Sequence, residues 1–157
     1  MVNIYKLELT TLQQEIVNLL FIKIGPLNGR RISQILGVSP PAIGKALPEL
    51  ERKEYIILKK DRESGRLSRE INRNSAYMIA LKRIENLKNI YRSGLTEYLY
   101  DLFPGNTIIL FGSYALGEDT TSSDIDLAII GAKEREKDLT KFEKVLERPI
   151  FLHFYPS

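Results

Sequence analysis

The chain has 157 residues, 43% of them hydrophobic and 27% charged, which suits one medium or two small globular domains. It holds no cysteine and a single histidine, His153, so disulfides, thiolate metal sites and multi-histidine zinc sites are excluded. The net charge of +3 hides an asymmetry, with 11 Lys/Arg against 6 Asp/Glu in residues 30–73 and 6 against 10 in residues 101–157. Two modules with different partners are expected, the basic one suited to nucleic acid. Charge alone is met as well by an unevenly solvated surface. The opening, Met1-Val2-Asn3-Ile4-Tyr5-Lys6, lacks the apolar stretch of a signal peptide. No apolar run approaches the roughly 20 residues that span a bilayer. A cytoplasmic protein without a membrane partner is expected.

From the N-terminus, Leu12, Ile16, Leu19, Leu20 and Ile24 form a helical stripe that Gly25-Pro26 ends. A short helix from about Arg30 to Leu36 follows, with Ile32, Ile35 and Leu36 on one face. After the Gly37-Val38 turn, Ser39 is placed as an N-cap, and Pro40 and Pro41 suit the first turn of a helix through Ile43, Leu47 and Leu50. Pro48 removes the bond to the carbonyl of residue 44, so this helix is expected to bend or break there. Tyr55 to Leu58 reads as a strand, Asp61 to Arg66 as a turn and Leu67 to Ile71 as a returning strand.

This order, over roughly residues 9–73, resembles a winged helix-turn-helix. Residues 30–39 look like the second helix and turn, residues 40–52 like the recognition helix and residues 59–69 like the wing. The resemblance implies a partner of double-stranded DNA, with the helix in the major groove and the wing near the backbone. The candidate contacts are Arg30, Arg31, Lys45, Lys59, Lys60, Arg62, Arg66 and Arg69. A winged helix that docks protein instead is the competing reading.

Ala76 to Tyr91 carries Met78, Leu81, Ile84, Leu87 and Tyr91 at helical spacing, and Leu95 to Phe103 repeats the pattern after Ser93-Gly94. The tyrosines here suit core packing or the seam of a homodimer. A strand is expected at 107–111, another at 125–130, a charged helix near 136–146 and a last strand from Pro149 to Phe154.

Between the first two of these strands lies the densest signal in the chain. Thr107-Ile108-Ile109-Leu110-Phe111 ends abruptly in Gly112-Ser113, and Asp124-Ile125-Asp126 follows. Residues two apart in a strand share a face, so Asp124 and Asp126 project side by side. Paired carboxylates repel unless a cation separates them, and Mg²⁺ is commonly held by one or two carboxylates plus substrate phosphates. Gly112 lets a phosphate approach the backbone, and Ser113 adds a hydroxyl.

Residues 95–155 thereby resemble the minimal nucleotidyltransferases of the DNA polymerase beta superfamily. The resemblance implies that Asp124 and Asp126 are the metal-binding catalytic pair for Mg²⁺ (or Mn²⁺). It implies likewise that Gly112 and Ser113 bind the nucleoside triphosphate. Two features depart from the family: Leu116 stands where a basic residue is usual, and the strand through residues 148–155 lacks the third carboxylate of active members. His153 lies in that strand, either as a proton acceptor or as a strand histidine with no chemical role.

The expected fold is α+β: a winged helix-turn-helix over 1–75, a connecting helix over 76–94 and a nucleotidyltransferase-like mixed α/β sheet over 95–157. Two functions stay open. One is a DNA-binding regulator that binds Mg-NTP with weak or no transferase activity. The other is an active enzyme that moves NMP from an NTP to a hydroxyl of protein or nucleic acid, acting as the antitoxin of a two-component module. Small proteins of this family are often paired with a helical partner protein.

Overall fold

The computed structural model describes residues 9–23, 25–60, 62 and 65–157. The opening hexapeptide, Ile24 of the first stripe, and Asp61, Glu63 and Ser64 of the expected turn lie outside the described residues. The chain divides into two compact units, Met1–Met78 and Ile79–Ser157.

In the first unit, helix α1 (Thr11–Ile22) starts at a capping box. The Thr10 side chain accepts from the Gln13 backbone N–H, and the Gln13 side chain returns the bond to Thr10 N–H. Helix α2 (Gly29–Leu36) is capped by Asn28 and ends at Gly37 in the left-handed region. Helix α3 (Pro40–Arg52) begins at the Ser39 cap. Ile16, Val17, Leu20, Ile32, Ile43, Leu47 and Leu50 are buried and form the core, whereas Ile35 of the expected α2 face is exposed and Leu12 and Leu36 are partly buried.

Strands β1 (Ile56–Lys60) and β2 (Leu67–Ile71) pair antiparallel, Ile56 with Ile71 and Lys60 with Leu67. Leu27 adds a bridge to Arg69 through reciprocal backbone bonds of 2.9 and 2.8 Å. Helix, helix, turn, helix and hairpin are thus those of a winged helix-turn-helix. The expected break does not occur, since α3 continues through Pro48. Pro48 is exposed, and nothing lies within 4 Å of where a Cβ on Gly44 would stand, so water has room to solvate the carbonyl that loses its bond.

Helix α4 (Ala76–Arg92) enters the second unit, followed by α5 (Leu95–Leu102), β3 (Thr107–Phe111), α6 (Gly112–Leu116), β4 (Ile125–Ile130), α7 (Thr140–Leu146) and β5 (Ile150–Tyr155). The sheet order is β3-β4-β5, the first pair antiparallel and the second parallel. Ile108, Leu110, Ile125, Leu127, Ile129, Ile150, Leu152 and Phe154 turn one face of this sheet toward a core with Leu95, Leu99, Phe103, Phe142 and Leu146. By strand alternation the other face carries Ile109, Phe111, Asp126, Ala128, Phe151, His153 and Tyr155. On that second face Ile109, Phe151 and Tyr155 stay about half exposed.

The face of α4 toward this unit's interior is not the one its apolar spacing suggests. Ile84, Leu87 and Tyr91 are exposed, whereas Lys82, Glu85, Asn86 and Ile90 are buried. Lys82 and Asn86 find partners in the loop between α6 and β4.

Candidate functional site

The register places Phe111 opposite Asp126, so the chain turns from β3 into α6 beside the Asp126 carboxylate. Gly112 occupies that turn with φ +76°, and a Cβ there would stand 2.8 Å from Asp126 Oδ2. Glycine is therefore required twice, by conformation and by the carboxylate packed against its Cα. Ser113 follows in the first turn of α6, and Gly117 closes that helix in the left-handed region. A Cβ on Gly117 would meet the Ile79 carbonyl at 2.6 Å, so α6 is seated closely on α4.

Asp124 lies directly before β4, after a turn in which Thr120 N–H donates to Ser123 Oγ at 2.8 Å. Asp124 and Asp126 are both partly buried. Across the parallel pair, His153 Nε2 lies 2.8 Å from Asp126 Oδ1. The Phe111 ring meets the imidazole edge-on with centroids 5.2 Å apart. The structure thus gathers Gly112, Ser113, Asp126 and His153 at one end of the sheet, with Asp124 at the mouth of the same strand. Strand β5 brings no carboxylate here. Among the described residues, no three His, Cys, Asp or Glu side chains form a group able to hold a metal alone.

The support beneath this end was not evident from sequence spacing. Asp119 is 1% exposed. Lys82 Nζ donates to its carboxylate and, at 2.8 Å, to its backbone carbonyl. Asn86 Nδ2 donates to the same Oδ1 at 2.8 Å and to the Tyr114 carbonyl at 2.8 Å. Arg148, just before β5, reaches Asp119 Oδ2 at 3.5 Å. The Asp119 carboxylate therefore ties α4 to the start of β5, and Asn86 ties α4 to α6. Burial, with the Asp119 charge nearby, pushes the Tyr114 phenol far above its ordinary value and keeps it neutral. The available signal was three polar residues, Lys82, Glu85 and Asn86, at helical spacing with Met78 and Ile90.

A cleft of about 130 Å³ lies between α4, α5 and the core face of the sheet, lined by Leu87, Tyr91, Leu99, Tyr100, Leu110 and Leu127. It opens on the side of the sheet opposite Asp126 and is small for a nucleotide. Leu116, at the position where a basic side chain was expected, is about half exposed.

In the first unit, Arg30, Arg31, Lys45, Lys60, Arg62 and Arg66 are exposed. Lys59 is also exposed and pairs with Glu70 at 2.7 Å. Arg69 differs from these: its side chain is 18% exposed, and Nε donates to Glu51 at 2.9 Å, tying β2 to α3.

Residues 92–155 match the family model described as a nucleotidyltransferase domain. No curated protein matches the chain. Among solved structures, a point mutant of Lactococcus lactis ZitR is 20% identical with a TM-score of 0.47, covering 61% of this chain and 63% of that one. The adhesin competence repressor AdcR of Streptococcus pyogenes is 17% identical with a TM-score of 0.49, covering 66% and 72%. The S. aureus MepR–DNA complex is 21% identical with a TM-score of 0.45, covering 63% and 85%. The chain thus spans less than two thirds of the ZitR structure. Among the described residues, no helix is long and apolar enough to cross a membrane.

Proposed function

Because residues 92–155 carry a nucleotidyltransferase domain, we propose that the chain is a cytoplasmic DNA-binding regulator whose C-terminal unit holds a nucleoside triphosphate. The observation that carries this reading is the packing of Gly112 against the Asp126 carboxylate at the strand end that also bears Asp124. This brings a cation-binding group to the same point as a backbone without a side chain. Asp124 and Asp126 would hold Mg²⁺ (or Mn²⁺), and the donor chemistry fits, since Mg²⁺ needs only one or two carboxylates when phosphates complete its shell. Such an ion neutralises phosphate charge. Gly112 and Ser113 would meet the triphosphate.

Transferase activity is weak or absent in this reading, because β5 supplies no third carboxylate. The second reading, an active transferase, draws on His153 beside Asp126. The attacking hydroxyl oxygen would bond to the α-phosphorus, the bond to the bridging oxygen would break, pyrophosphate would leave and His153 would take the hydroxyl proton. Such an enzyme would act on a protein or nucleic acid hydroxyl, with a helical partner protein in a two-component module. A homodimer would use the exposed Ile84, Leu87 and Tyr91 of α4 with Tyr100 of α5.

Calorimetry with ATP, GTP, CTP and UTP in Mg²⁺ tests nucleotide binding. At least one nucleotide is expected to bind below millimolar concentration, with the signal lost in Asp124→Ala. Absence of binding at millimolar concentration, with Asp124→Ala indistinguishable from the parent chain, overturns the reading.

A further inference from the structure

From Pro40 to Pro48, helix α3 carries a single side chain able to form a hydrogen bond, that of Lys45. Ile43, Ala46 and Leu47 of this stretch are buried in the core. Pro41, Gly44, Lys45 and Pro48 are exposed, and steps of three, one and three residues place them on one face of the helix. We infer that this face selects DNA by thymine methyl groups rather than by the hydrogen-bonding edges of bases. The first unit then binds duplexes of many sequences and favours those rich in A·T pairs. The inference rests on the proposed DNA binding of this unit.

Direct reading of bases relies on side chains with paired polar atoms, Arg toward guanine and Asn or Gln toward adenine, placed near the start of the recognition helix. Helix α3 has none of these before its last turn. The Lys45 ammonium is a point charge without a planar fork, and it serves a phosphate as readily as a guanine. The polar groups at either end of the stretch are engaged. Ser39 Oγ accepts the Ala42 N–H as the cap of α3. Arg52 donates to both oxygens of Glu49 at 2.9 and 2.6 Å, and Arg69 donates to Glu51 at 2.9 Å. What α3 offers instead is apolar. Thymine alone adds a methyl group to the major groove, and apolar side chains contact it. The Pro41 and Pro48 rings stand two turns apart. Between them, nothing lies within 4 Å of where a Cβ on Gly44 would be, so the helix backbone can come close to the base edges.

Charge complementarity makes DNA the occupant of this face. Arg30 and Arg31 on α2 and Lys60, Arg62 and Arg66 on the wing are exposed, in a stretch with 11 Lys/Arg against 6 Asp/Glu. Contacts of this kind fix the protein on the duplex but carry no sequence information. Affinity therefore comes from groups that do not discriminate, and discrimination from two proline rings. One buried methyl group changes affinity by about fourfold, so two such contacts give roughly tenfold. A specific site, by contrast, exceeds random DNA by about a thousandfold or more.

Equilibrium selection of random-sequence duplexes by the full chain, at one fixed salt concentration, tests the breadth of binding. The best selected duplex is expected to be rich in A·T pairs and to exceed the unselected pool by roughly tenfold. Competition titration of that duplex against the same sequence with uracil in place of thymine tests the methyl groups. The uracil duplex should bind several-fold more weakly, and the double variant Pro41→Ser with Pro48→Ser should bind the two alike. A selected duplex bound about a thousandfold more tightly than the pool, or equal affinity of the parent chain for the thymine and uracil duplexes, overturns the inference while leaving DNA binding standing. A thymine preference that persists in the folded double variant removes the prolines as its readers and overturns the inference too. No binding of any duplex at low salt overturns DNA binding itself, and the inference with it.

Discussion

Gly112 and Asp126 behave as one feature divided between α6 and β4. The carboxylate lies where any Cβ on residue 112 would have to go, and the backbone there holds a φ that side chains rarely adopt. Gly112→Ala therefore has two effects. Left-handed backbone in a residue with a Cβ costs about 1–2 kcal/mol, and the methyl displaces Asp126 from its contact with His153. The expected result is a modest fall in melting temperature with nucleotide affinity reduced roughly tenfold or more, since about 1.4 kcal/mol lost from the bound state is already tenfold. Calorimetry and thermal unfolding on the same variant check both effects. Affinity unchanged in a folded Gly112→Ala protein would detach the glycine from nucleotide binding.

Among the elements, α4 shows where sequence reading succeeds and where it stops. Its extent follows from apolar periodicity, and so do the strands on either side of Gly112, because each is specified by neighbours three, four or two residues away. Its inward face does not follow. Lys82 and Asn86 turn inward because Asp119 waits 37 and 33 residues further along the chain. No local pattern encodes a partner at that distance, and the outward Ile84, Leu87 and Tyr91 imitate a core stripe. The same limit applies to His153, whose proximity to Asp126 depends on the parallel register of β4 and β5 rather than on its own surroundings in sequence. The wing divides similarly: its basic residues are visible in the sequence, but the inward Arg69–Glu51 pair is not. Removing one member of a buried ion pair leaves its partners charged and desolvated. Asp119→Ala is accordingly expected to destabilise the second unit by about 3–5 kcal/mol. Denaturant unfolding should show this as a lower midpoint, with Asp119→Asn milder because the amide retains the shape and one acceptor. A midpoint within error of the parent chain for Asp119→Ala would show that the network contributes little to stability.

At the scale of the whole molecule, charge is separated along the chain, with basic residues concentrated in 30–73 and acidic ones in 101–157. If the first unit binds DNA through phosphates, affinity should fall steeply with salt, the slope of log K against log salt changing by about 0.9 for each contact removed. Replacing Lys45, Lys60 and Arg62 together with alanine should reduce that slope by roughly 2 to 3. Lys59→Ala should have less effect than Lys60→Ala, because Lys59 is already paired with Glu70. A gel-shift titration across salt concentrations reads both, and a slope unchanged in the triple variant would remove these residues from the interface. The sheet of the second unit carries its own implication. On the face that holds Asp126 and His153, the side chains of Ile109, Phe151 and Tyr155 are half exposed. A phosphoryl group held at Asp126 would rest beside these half-exposed apolar side chains. A small alcohol would compete poorly with the surrounding solvent, since productive transfer needs a dry site. In the transferase reading, an acceptor wide enough to cover Ile109, Phe151 and Tyr155 would dry the sheet while delivering its hydroxyl.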